Sequence, residues 1–165
     1  MWHKVFLYRN GHQAELRRRV TNPVDAATRS RMMSGIKSKN TRPEVFTRKA
    51  LHAVGFRYVL GGHGLPGKPD LVFPSRRAVV FINGCFWHLH DCRYFRWPKT
   101  NTQFWQRKLG ENSRRDIRVN RQLRGLGWRV FTVWECELRK TKFELPNNAV
   151  SRVSRLLKNI DSMQQ

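Results

Sequence analysis

Acidic residues are scarce in this chain of 165 residues, where 11 Asp and Glu face 33 Lys and Arg for a formal net charge of +22. Self-repulsion at that charge opposes compaction, so the surplus points to a polyanionic partner, nucleic acid above all. A membrane surface fits less well, because no long basic amphipathic helix with an apolar face dominates. Long apolar runs are missing too. Nothing approaches the ~18 consecutive apolar residues of a membrane span, and Met1 to Val20 has no sustained hydrophobic region or cleavage site of a secretory signal. Cysteine is sparse: three residues cannot all pair, and beside histidines they suggest metal ligation in a reducing compartment rather than a disulfide frame. Internal repeats are absent. The expectation is a cytoplasmic protein with one compact domain over residues 25–165, preceded by a basic extension over residues 1–24.

The pattern of that domain is α/β. A short basic helix is expected from Asp25 to Lys39. Thr41-Arg42-Pro43-Glu44 reads as a capping-box start for a helix whose stripe is Val45, Phe46, Ala50, Leu51 and Val54, stopped by Gly55. Strands are expected over Phe56–Leu60, Leu71–Phe73, Ala78–Ile82 and Trp128–Trp134. A helical stretch over Thr100–Gly125, broken near Gly110, separates the last two, and an amphipathic helix over Asn148–Ile160 closes the chain. Helix, three strands, helix, strand, helix implies a central mixed β-sheet flanked by helices.

The chemistry gathers where the third strand ends, in Asn83-Gly84-Cys85-Phe86-Trp87-His88-Leu89-His90-Asp91-Cys92. Cys85, His90 and Cys92 are soft or borderline ligands within one loop, and Cys136 follows the fourth strand. A Cys3His set fills a zinc tetrahedron and leaves no open position, which defines a structural site. The competing possibility is ordinary buried thiols, since the spacing is not that of a standard zinc finger. His88 is then left over, available as a general base or a phosphate contact. Asp70, in Gly67-Lys68-Pro69-Asp70, is either a surface ion pair worth little or a ligand for Mg2+. A Pro-Asp step opening a hairpin begins the site of many restriction-type nucleases. The acidic-spacer-lysine continuation on the next strand is absent here, where that strand ends Phe81-Ile82-Asn83.

Pro66-Gly67-Lys68-Pro69-Asp70, Gly84-Cys85-Phe86-Trp87-His88 with His90 and Cys92, Phe104-Trp105, and Gly127-Trp128-Arg129-Val130 with Trp134-Glu135-Cys136 together resemble the very short patch repair (Vsr) mismatch endonucleases, in motif order and spacing from about Asp25 to Arg139. The resemblance implies a restriction-endonuclease-like fold and a Mg2+-dependent enzyme that nicks one strand of double-stranded DNA beside the thymine of a T·G mismatch left by 5-methylcytosine deamination. It implies Mg2+ held by Asp70 and the main-chain carbonyl of Ile82, His88 as general base, and Glu44, Asn83 and Asp116 in supporting roles. Zn2+ would be held by Cys85, His90, Cys92 and Cys136. Phe86, Trp87 and Trp105 would wedge into the base stack from the major groove and Met33 from the minor groove, with Lys108 and Asn112 near the mismatched pair. A monomer working on nucleoid DNA follows, with functional links to a cytosine-5 DNA methyltransferase and mismatch repair proteins. Where some family members carry Thr-His, this chain has Ile82-Asn83, so any imidazole contribution there is lost. The alternatives are a restriction-type endonuclease cutting matched duplex and a non-catalytic zinc-dependent DNA-binding module.

Overall fold

The computed structural model describes residues 25, 27–28, 31, 39–62 and 64–162. Met33 and the basic extension over residues 1–24 lie outside the described residues, as does most of the helix expected from Asp25. Within that stretch Ala27, Thr28 and Arg31 are helical, and the Asp25 carboxylate accepts from the Thr28 N–H at 2.7 Å and its hydroxyl at 2.8 Å, as a helix cap does.

Residues 38–165 form one compact unit. Its elements are α1 (Arg42–Ala53), β1 (Val59–Leu60), β2 (Leu71–Phe73), a 3-10 turn (Pro74–Arg76), β3 (Ala78–Asn83), α2 (Thr102–Gly125), β4 (Arg129–Trp134), α3 (Glu135–Arg139) and α4 (Asn148–Ser162). The four strands lie in the order β1-β2-β3-β4. The first three pair antiparallel and β4 runs parallel to β3, so the sheet is mixed as expected. A parallel neighbour needs a crossover, and α2 supplies it.

Side chains alternate across the sheet with period two. Leu71, Phe73, Ala78, Val80 and Val133 pack on one face against Ala50 and Leu51 of α1 and Val150, Val153, Leu157 and Ile160 of α4. Val72 and Val79 point the other way, onto Leu123 and Val119 of α2, with Phe81 and Val130 packed alongside. Each such fully buried side chain contributes on the order of 1.5–3 kcal/mol. Apolar cover on both faces defines an α/β layer with the sheet at its centre.

Two strands start later than their hydrophobic runs predict, for the same reason. Gly55, at φ 94°, and Gly127, at φ 79°, end α1 and α2. In each case the next residue is drawn into the cap: Phe56 N–H donates to Leu51 O at 3.1 Å and Trp128 N–H to Leu123 O at 2.9 Å. These amides complete Schellman-type caps and are lost to the sheet ladder. The Phe56 and Tyr58 rings instead meet Phe73 edge-on, with centroids 6.2 and 5.9 Å away. The break expected at Gly110 does not occur. A glycine costs only about 1 kcal/mol in a helix interior, and α2 runs 24 residues unbroken.

Because β3 and β4 are parallel, both run towards the same edge of the sheet, where Asn83 is paired with Trp134. The loop leaving β3 and the short helix α3 leaving β4 therefore begin side by side. That register brings the chemistry together.

Candidate active site

Cys85 lies two residues past the end of β3 and Cys136 two past the end of β4, so the sheet juxtaposes two cysteines 51 positions apart in sequence. A tight turn then returns His90 and Cys92 to them, with His90 N–H donating to Cys85 O at 3.0 Å and Leu89 at φ 49°. One ligand atom from each of Cys85, His90, Cys92 and Cys136 lies within 4.8 Å of every other. With metal–sulfur bonds of about 2.3 Å, four donors around a tetrahedral ion are separated on that scale, and Cys3His is a donor set suited to zinc. The residues present fit that ion. His90 is braced from behind by Trp134, whose ring stacks on it at 4.0 Å and 11°. Its Nδ1 faces Cys136 Sγ at 3.5 Å. Cys85 and Cys136 are buried, and burial first of all, with its cysteine neighbours adding to it against a Cys136 N–H that favours the thiolate, pushes the Cys85 thiol up to about 12. A thiolate there needs a cation.

Between Cys85 and His90 the turn carries Phe86, Trp87 and His88, none of them buried in the core. Phe86 meets Trp87 at 5.1 Å and Trp105 of α2 at 5.2 Å, and Trp87 meets Trp105 at 6.0 Å. The three expected wedge residues thus form one aromatic cluster. The sequence reading missed its extension: Phe95 stacks on Phe86, Trp97 packs on Phe95 and Phe104 on Trp105, with Trp97 46% and Phe104 48% exposed. Density of aromatic residues in the stretch from Tyr94 to Trp105 was the signal available for them.

His88 Nδ1 lies 2.5 Å from Asp116 Oδ2 on α2, with both side chains mostly buried. Trp105, Lys108, Asn112 and Asp116 recur at helical spacing and share one face of α2. Asn112 donates its amide to the Trp87 carbonyl at 3.1 Å, tethering the turn from its other side. Lys108 is exposed. A cavity of about 80 Å³ beside His88 and Asp116 is lined also by Asn83, Arg115, Asn120 and Thr132.

Asp70, at the start of β2, accepts the Ile82 N–H from β3 at 2.7 Å. Burial raises its carboxyl above the usual carboxylate range; the Ile82 hydrogen bond opposes that shift, the Glu44 carboxylate adds to it, and the charges of Arg48 and His88 oppose it. Glu44 and His88 therefore act on Asp70 electrostatically. A half-buried carboxylate with a second one nearby, on a strand whose neighbour's main chain touches it, is a hard oxygen-donor setting that suits Mg2+. Glu44 itself is 8% exposed. It accepts from Thr41 Oγ at 2.8 Å, the Asn40 N–H at 2.9 Å and Arg48 at 2.9 Å. The expected capping box is not formed: Glu44 takes the N–H of Asn40, one residue ahead of the N-cap, and the Thr41 hydroxyl donates to Glu44 instead of accepting from the backbone.

A mixed sheet with a carboxylate at its second strand, a Cys3His cluster at its edge and a basic, aromatic loop beside both defines a restriction-endonuclease-like α/β enzyme acting on DNA. The family model for DNA mismatch endonuclease Vsr matches residues 21–94. The chain is 46% identical over 119 residues to the type II nicking enzyme V.XorIIP of Xanthomonas oryzae pv. oryzae, covering 72% of this chain and 88% of that one. It is 44% identical over 115 residues to the DNA mismatch endonuclease Vsr of Escherichia coli, covering 70% and 74%, and 41% identical over 143 residues to the type II nicking enzyme V.NmeAIP of Neisseria meningitidis, covering 86% and 97%. The chain belongs to the Vsr DNA mismatch endonuclease family. It is an endonuclease with DNA as substrate, and no helix among its described residues is long and apolar enough to cross a membrane.

Proposed function

We propose that this enzyme nicks one strand of duplex DNA beside the thymine of a T·G mismatch, in a Mg2+-dependent reaction with His88 as general base. The observation that carries the reading is the His88–Asp116 pair at 2.5 Å, set on the turn that also carries the aromatic cluster and electrostatically coupled to Asp70. Nδ1 of His88 is engaged by Asp116, so Nε2 is the nitrogen left to take a proton from the attacking water. Asp116 orients the ring and stabilises its charged form as the proton arrives. Asp70 and the main-chain carbonyl of Ile82 would hold Mg2+, which when bound supplies charge stabilisation at the scissile phosphate and the leaving oxygen. Glu44 adds negative charge beside Asp70. Asn83, at the lip of the cavity next to His88, contributes hydrogen bonding in place of an imidazole.

Phe86, Trp87 and Trp105 enter the base stack, with Met33 approaching from the other groove. A T·G wobble stacks poorly, so a wedge separates it at lower cost than a matched pair, and part of the selectivity comes from deformability. Lys108 and Asn112 flank the opened pair. Zinc at Cys85, His90, Cys92 and Cys136 acts as a clamp that fixes wedge and base relative to Asp70. The enzyme works as a monomer on nucleoid DNA, downstream of the cytosine-5 methylation that supplies the deaminating base, and hands its nick to repair proteins. Asp70→Ala is expected to abolish nicking of a T·G duplex and His88→Ala to slow it by about 10²–10⁴-fold, each leaving binding to it largely intact. Loss of binding in both would refute these assignments.

A further inference from the structure

Phe86, read as a wedge residue, has a neighbour to which that reading gives no role. Phe95 stacks on it, with ring centroids 6.3 Å apart and planes 28° from parallel. Trp87 and Trp105 instead meet Phe86 edge-on, at 5.1 and 5.2 Å and at 80° and 69°. The Phe86 ring is thus held by aromatic neighbours of which Phe95 alone comes from beyond the Cys3His cluster. The main chain of Phe95 is itself fixed, because its N–H donates to Cys92 O at 3.0 Å. Trp97 covers its outer side, with centroids 5.2 Å apart and planes at 83°, and remains 46% exposed. Both stacked rings therefore hang on the same cluster: Phe86 directly follows Cys85, and Phe95 closes the turn that begins at Cys92.

We propose that Phe95 is a positioning residue of the wedge: stacked on Phe86 and backed by Trp97, it stops the Phe86 ring from folding back when pressed into a base stack, and so contributes to the preference for a T·G pair. This rests on the reading of Phe86 as a wedge. Parting stacked bases is uphill, and a ring free to rotate yields before the stack does. A ring already held in place also loses less freedom on insertion, which favours the inserted complex. Matched duplex is bound mainly through its phosphates, without insertion, so loosening the wedge acts on the T·G complex alone. One aromatic pair stabilises its own arrangement by about two- to tenfold in an equilibrium constant.

The test uses the full-length, zinc-loaded protein without Mg2+ and a duplex with 2-aminopurine beside the T·G pair, whose fluorescence rises as the stack around it opens. Affinity is measured in parallel for this duplex and its C·G counterpart. Phe95→Leu is expected to give a smaller fluorescence rise at saturating protein and to bind the T·G duplex about two- to tenfold more weakly, with matched duplex bound as by wild type. Phe95→Tyr, which keeps the ring, should restore both. Trp97→Ala, at an exposed position outside the core, should act in the same direction and serves where Phe95→Leu loses zinc or its fold. A merely structural role would lower zinc content and melting temperature and weaken both duplexes alike, and that result in Trp97→Ala overturns the proposal. A wild-type rise and T·G preference in the folded variants overturns it too. If Phe86→Ala itself gives the wild-type rise, the wedge reading falls and this one with it.

Discussion

Replacing Asp116 by Asn separates the two halves of the proposed base. The hydrogen bond it alters joins a carboxylate to an imidazole at 2.5 Å, with side chains 27% and 21% exposed. Hydrogen bonds involving a charged group contribute about 1.5–3 kcal/mol, and each ~1.36 kcal/mol is a factor of ten in rate. Asp116→Asn is therefore expected to slow single-turnover nicking by about 10- to 150-fold. Removing the base itself, in His88→Ala, forfeits the 10²–10⁴-fold typical of general base catalysis. Because Asp116 is held to act through His88, the double variant should be no slower than His88→Ala alone. The assay is nicking of a labelled duplex at saturating enzyme and Mg2+, with zinc content measured on each variant. A wild-type rate for Asp116→Asn, or a double variant more than about tenfold slower than His88→Ala, would refute the dyad.

Two further substitutions probe the metals. Cys136→Ser removes the ligand that joins α3 to the loop after β3, so bound zinc, counted by mass spectrometry, should fall below one per chain and the melting temperature should drop; a stable, zinc-replete variant would contradict the Cys3His site. Asp70→Asn bears on pH. Burial holds the Asp70 carboxyl above the usual carboxylate range in the folded protein, so folding favours its protonated form. That favourable contribution is complete below the unfolded value of about 4 and is lost as pH rises through the folded value. At neutral pH without added Mg2+, Asp70→Asn should melt higher than wild type, with the gap closing as pH falls towards ~4. A lower melting temperature at neutral pH would show that the carboxylate is stabilised in place.

How much of this was legible in the sequence differed by kind of feature. The cluster that could hold a metal could be read because Cys85, His90, Cys92 and Cys136 are rare residue types whose chemistry needs no partner to be recognised. The sheet could be read because Leu71–Phe73 and Ala78–Ile82 are short, unbroken apolar runs, the pattern of strands covered on both faces. The short helix Glu135–Arg139 carries Cys136, yet five residues between a strand and a loop give too little periodicity to detect. Asp116 was assigned a supporting role only through the family likeness. Its link to His88 spans 28 positions and depends on the crossover helix folding back over the loop. Asn112 holding the Trp87 carbonyl and Arg48 holding Glu44 are tertiary facts of the same sort. In a chain with 33 basic residues, nothing local marks one arginine as different from the rest.

The most direct test is a strand-nicking comparison on two duplexes of identical sequence, one with a T·G pair and one with C·G at the same position, each with and without Mg2+. Nicking of the thymine strand in the T·G duplex alone, and only with Mg2+, is the expected result. Equal cleavage of the matched duplex would mean a restriction-type enzyme, and binding with no product under any condition would mean a DNA-binding module; either contradicts the proposed function.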